Sequence, residues 1–281
     1  MKHSALFFIV ALFLVSCGSP ETQIDKEQAE AHYRLGLEFA QNSLLNNSLE
    51  EFDLAITNNP GEAKYYRKKG LIQFAMKQYE PAKELFTKSI ALDPKNTQSY
   101  INLGMANYSL GDKKQAKIDW EKAIDLLPND DDSKALNNLA NLYKEEEKYD
   151  LAIQYYEKAM DWAPGNTLFL DNLAEVYRKT KNYDKAEEVL TKSLKLNDRG
   201  LLAQFNLGMV YKDQNQLEKA ISAFDQSLKI NPFYTEAYYQ LADVQRIKND
   251  IQSARANIQK ALAAEPDNAK YKEFILKLKA S

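Results

Sequence analysis

Between Ser133 and Pro164 the apolar residues fall into two stripes separated by a polar break. Leu136, Leu139, Ala140 and Tyr143 follow one another as large, large, small, large at spacings of three, one and three. Ala152, Tyr156 and Ala159 come after the break, and Pro164 closes the stretch. Each stripe covers one face of a 3.6-residue helix and neither is wide enough to form a core alone. The pattern therefore predicts two amphipathic helices that must pack on each other and on neighbours. Proline ends the second helix because it has no amide hydrogen to continue the ladder.

The same chemistry returns in steps of 34 along the chain. Repeats are read at 29–62, 63–96, 97–130, 133–166, 167–200, 201–234 and 235–268, with Asp131 and Asp132 as a two-residue insertion before the fourth. Small residues recur at the points of closest helix approach, such as Gly104 with Ala116 and Ala140 with Ala152. A prolyl stop recurs at Pro60, Pro94, Pro128, Pro164, Pro232 and Pro266. Two departures stand out: Lys69 occupies a usually apolar position, and Asn197-Asp198-Arg199-Gly200 replaces the proline of the fifth repeat. After the last repeat, Tyr271, Phe274, Ile275 and Leu278 share a face opposite lysines, which predicts a capping helix over 269–281.

These residues resemble the tetratricopeptide repeat over residues 29 to 268. The resemblance implies an all-α fold, a right-handed superhelical solenoid of antiparallel helix pairs, A and B. It also implies a concave groove lined by positions 2, 5, 6, 9, 12 and 13 of each helix A.

Composition narrows the function. Charged residues are 27% of the chain and nearly balance at a formal net charge of -3, which disfavours a nucleic-acid partner. The N-terminus follows a different logic. Lys2 precedes an apolar run from Ala5 to Val15, too short for a membrane span of ~20 residues. The run ends Leu14-Val15-Ser16-Cys17, and Cys17 is the one cysteine of the chain. This resembles a bacterial lipoprotein signal. It implies a signal peptide over 1–16, lipidation of Cys17 and a tether over 17–28. Gly18 after the cysteine, in place of Asp, implies outer-membrane sorting by the enterobacterial rule. With Cys17 lipidated, no disulfide remains to the mature chain.

The inventory for catalysis is thin, and no enzyme activity, cofactor or metal is expected. His32 is the one histidine after the signal, at a position expected to pack between helices. No phosphate-binding glycine loop or nucleophile elbow occurs. Asp130-Asp131-Asp132 lacks the alternating oxygen ligands and distal Glu of a calcium loop.

The informative positions are those the resemblance places in the groove. Position 6 reads Arg34, Lys68, Asn102, Asn138, Asn172, Asn206 and Gln240. A row of amides, each a donor and an acceptor, suits the backbone of an extended peptide, although asparagine here also serves helix-to-helix contacts. Position 12 reads Ala40, Phe74, Tyr108, Lys144, Arg178, Lys212 and Arg246, basic in the last four repeats. Tyr33, Met105 and Tyr108 add an apolar floor towards the N-terminal half. The four basic residues are read either as a solvated face or as a track for acidic ligands. The leading expectation is a non-enzymatic, lipid-anchored adaptor of the bacterial envelope that grips an extended protein segment. The alternative is an envelope glycan or small-ligand binder using the basic half of the groove.

Overall fold

The clearest regularity of the folded chain is a left-handed backbone residue that returns once per repeat. Ser43, Lys77, Gly111, Glu147, Lys181, Asn215 and Asn249 all have positive φ. They stand 34 residues apart except across Asp131-Asp132, where the step lengthens by those two residues. Each ends a first helix. At Glu147, for example, the Lys148 amide donates to the Tyr143 carbonyl and the Glu147 amide to that of Lys144. This is the Schellman closure, which satisfies carbonyls left open at a helix end.

The computed structural model describes residues 20–126 and 132–280. The predicted signal 1–16, Cys17, Pro128, Asp130 and Asp131 lie outside the described residues. Described residues form fifteen helices and no strand. The fold is all-α, built of consecutive antiparallel helix pairs. It divides into two compact units at Gly111/Asp112, inside the third repeat.

The first unit contains α1 (Pro20–Gln41), α2 (Leu45–Asn58), α3 (Ala63–Ala75), α4 (Tyr79–Leu92) and α5 (Thr97–Ser109). α1 begins nine residues before the repeat register and takes in residues read from sequence as tether. Proline suits the first turn, where its missing amide hydrogen costs nothing, and Glu, Gln and Lys after it are good helix formers. Ala29, Ala55 and Tyr65 form one buried cluster, and Ala82, Phe86 and Ala106 another. Lys69 is accommodated by an ion pair with Asp53 of the preceding helix at 2.5 Å.

The second unit contains α6 (Lys113–Leu126), α7 (Asp132–Glu145), α8 (Tyr149–Trp162), α9 (Thr167–Lys179) and α10 (Tyr183–Leu196). It continues with α11 (Leu201–Asp213), α12 (Leu217–Ile230), α13 (Thr235–Ile247), α14 (Ile251–Ala264) and α15 (Ala269–Ala280). Without its proline, α10 still stops at Leu196. The Asn197 side chain accepts from the Arg199 amide, and the Gly200 amide donates to the Asn197 carbonyl. α15 buries Tyr271, Phe274 and Leu278 against Ala254, Ile258 and Ala261 of α14. Arg255 clamps it further by donating to the Leu278 carbonyl at 3.0 Å.

The close approach of A to B is set by a small residue facing a large one. A Cβ on Gly36 would lie 2.8 Å from Phe52, on Gly70 2.7 Å from Phe86, and on Gly208 2.6 Å from Phe224. Glycine is required there because the phenyl ring occupies the space a side chain would fill. In the last repeat Ala242 takes that place, and Ile258, in the same buried cluster, stands 34 residues after Phe224 where the earlier ring would be.

Candidate functional site

In the second unit the first helices of four repeats, α7, α9, α11 and α13, bring the predicted amides Asn138, Asn172, Asn206 and Gln240 to the same helical position. Their surroundings differ. Asn172 donates from Nδ2 to Asn137 Oδ1 at 3.2 Å, and Asn206 donates a long 3.5 Å bond to the Asp171 carbonyl. The carbonyl oxygen of neither amide has a partner among the described residues. Gln240 is 8% exposed and has both ends occupied: Lys212 donates to its Oε1, and its Nε2 donates to Glu236.

Asn172, Asn206 and Gln240 line one cleft of roughly 320 Å³ between α9, α11 and α13. One wall is apolar, from Leu202, Phe205, Met209 and Tyr234. The rings of Phe205 and Tyr234 meet edge to face at 5.0 Å, and Phe205 also rests on Phe224 at 5.6 Å, so the wall is braced from behind. Asp171, Glu175, Arg178 and Glu236 are the cleft's charged lining.

The four basic residues do not form an open cationic track, which corrects that reading of the sequence. Lys144 pairs with Glu175 at 2.8 Å, Arg178 with Asp213 at 2.5 Å and Lys212 with Asp243 at 2.5 Å. Arg246 turns back to Asp243 of its own helix at 2.8 Å. Each of the first three pairs joins the first helix of one repeat to that of the next. Position 12 lies against positions 9 and 13 of the following helix, and those positions carry the acids. Burial raises the Asp243 carboxyl, but its bonds to Lys212 and Arg246 outweigh that and hold it below the ordinary carboxylate value.

The other predicted groove residues belong to the first unit and line no part of this cleft. Tyr33 is half-buried, packing on Tyr65 at 5.1 Å and Phe52 at 5.9 Å. Asn102 and Tyr108 are half-buried on α5, and Met105 is exposed there. His32 hydrogen-bonds Glu51 through Nδ1 at 2.7 Å and is half-buried between α1 and α2. Among the described residues no cluster of three potential metal ligands occurs, and no helix is long and apolar enough to cross a membrane.

Sequence reasoning did not single out Asp171, Phe205, Tyr234, Leu202 or Glu236. Asp171 and Phe205 occupy position 5, which the repeat resemblance places in the groove. That column, Tyr33, Arg67, Ile101, Asn137, Asp171, Phe205 and Tyr239, has no common chemistry to draw attention.

Tetratricopeptide-repeat family models match residues 63–96, 97–130, 131–197, 166–232 and 205–269, an unbroken span. The chain belongs to the tetratricopeptide-repeat family. No curated protein matches it in sequence. A solved tetratricopeptide repeat protein from Parabacteroides merdae is similar, with TM-score 0.69 and 17% identity over 91% of this chain and 100% of that one. A chain of the APC/C hetero-tetramer Cut9-Hcn1 gives TM-score 0.70 and 16% identity over 92% of this chain. This chain spans only 48% of that one. YrrB, described as a repeat protein with an unusual peptide-binding site, gives TM-score 0.52 and 25% identity over 68% of this chain and 97% of that one.

Proposed function

We propose that this protein is a non-enzymatic adaptor of the bacterial cell envelope, lipid-anchored through Cys17, that holds an extended protein segment in the cleft of its last three repeats. The observation that carries this reading is the pairing of two amides, Asn172 and Asn206, with an apolar wall across one cleft. The amide carbonyls are open to a ligand's backbone N–H groups, and the wall takes alternate side chains. The peptide-binding site in YrrB's description supports the same use of such repeats. For the anchor, the support is the sequence Leu14-Val15-Ser16-Cys17 behind a short apolar run. Multiple acyl chains add ~0.8 kcal/mol per buried methylene and give stable attachment. Outer-membrane placement follows from Gly18 on the enterobacterial rule.

The test is a crosslinked pulldown from intact cells with the wild type and an Asn172→Ala, Asn206→Ala variant. Loss of ~0.5–1.5 kcal/mol per hydrogen bond should strip the captured partner from a variant that remains folded. Partners that survive undiminished would remove the cleft from the function. The anchor is checked separately: Cys17→Ser should release the chain from the membrane fraction, and unchanged fractionation would refute lipidation.

A further inference from the structure

Four charged residues line the cleft, and three of them already have an opposite charge. Arg178 is paired with Asp213, Glu175 with Lys144, and Glu236 with Lys270 at 2.9 Å. Asp171 has no cation among the described residues. It is 7% exposed, and its one side-chain partner is Ser193, whose hydroxyl donates to Oδ1 at 2.7 Å. Oδ2 has no partner among the described residues and retains contact with solvent. Burial raises the Asp171 carboxyl above its ordinary value, against the lowering effect of the Ser193 bond.

A desolvated carboxylate without a counter-charge is unfavourable, and the structural bond to Ser193 does not need one. An amide at this position would accept the same hydroxyl, and the preceding repeat has Asn137 there, bonded to Asn172. The charge itself is therefore left without a role inside the chain. A cation supplied by a ligand would complete it, and the surrounding wall fits that ligand. Phe205, Met209 and Tyr234 cover the aliphatic stem of a long side chain while its head reaches the carboxylate.

We propose that the cleft selects a lysine or arginine side chain of the bound segment, with Asp171 as its counter-charge. The inference rests on the reading that the cleft holds a protein segment. It gives that segment a basic residue, where the basic column in the sequence pointed to an acidic ligand.

The experiment screens the full mature chain against an immobilised array of randomised dodecapeptides, with the wild type and Asp171→Asn in parallel. Melting of the variant establishes that it is folded. The expected result is enrichment of Lys or Arg at one peptide position for the wild type, and about tenfold weaker binding of those peptides by the variant. N-acetyl-lysine methylamide should also compete for the wild type better than its norleucine analogue, a comparison that needs no variant. Retained peptides with no basic preference, or equal competition by the two amides, would overturn this inference and leave the peptide-binding reading intact. An array from which the wild type retains nothing would overturn both.

Discussion

At the scale of single residues, the repeat is held together by reciprocal size. Glycine at the A–B crossing is paired with phenylalanine three times, because the ring lies where a Cβ would stand. Gly70→Ala should therefore destabilise the first unit by ~1–3 kcal/mol, the range for overpacking, and Phe86→Leu in the same chain should restore much of it. Thermal unfolding of the two variants checks this; an unchanged Tm for Gly70→Ala would mean that the ring moves aside freely. The small-large alternation was visible in the sequence, but the partner was not. Gly104 with Ala116 and Ala140 with Ala152 were expected to meet, whereas the contacts that fix the spacing at Gly36, Gly70 and Gly208 are aromatic rings further along the second helix. Asp171 was illegible for a different reason. Its significance is the absence of a counter-charge, and only three-dimensional neighbours can show that.

At the scale of helices, period and caps carried nearly all the information. The 34-residue recurrence predicts helix pairs because two amphipathic stripes and a stop admit little else, and the described helices alternate in that way. Its failures lie where no stripe exists. α1 runs back to Pro20, and residues 23–28 are exposed and mostly polar, so their helicity comes from propensity and a search for apolar spacing passes over them. The ion pairs between successive first helices were missed because their partners are 31 or 35 residues apart. α15 was legible from its one apolar face, and it covers the end of α14. Deleting residues 269–281 exposes a surface now buried by Tyr271, Phe274 and Leu278. At ~1.5–3 kcal/mol for each large side chain buried, the truncated protein should lose several kcal/mol of stability and become prone to association. Denaturant titration with light scattering tests this, and an equally stable, monodisperse truncation would show that α15 is dispensable.

At the scale of the whole molecule, stability should fail on the alkaline side through tyrosine. Burial pushes Tyr65 and Tyr177 up to about 12, helped by carboxylate partners Glu30 and Glu157. Burial and Glu187 do the same to Tyr211, also to about 12. In the unfolded chain these phenols ionise near pH 10, so above that the unfolded state binds fewer protons and is favoured. The contribution is complete below pH 10 and is lost as pH rises through about 12, on the order of 2 kcal/mol apiece for the buried Tyr65 and Tyr177. A Tm that stays level from pH 9 to 12 would contradict this. Tyr65→Phe should remove the part of the alkaline loss that belongs to Tyr65 and leave that of Tyr33, which burial also raises.

The ion pairs of the second unit also act as a grammar for the order of its repeats. Lys144, Arg178 and Lys212 are plugs, and Glu175, Asp213 and Asp243 are the sockets of the repeats that follow. The polarity is the same each time, with the cation in the earlier repeat and the anion in the later one. A repeat lacking an acid at its ninth or thirteenth position could not follow any of these three without stranding a half-buried cation. Arg246 has no such socket ahead of it among the described residues. It folds back onto Asp243 and comes to rest 6.0 Å from the ring of Phe274 in the capping helix. The charges thus give the array a direction, each repeat presenting a cation to the one that follows it.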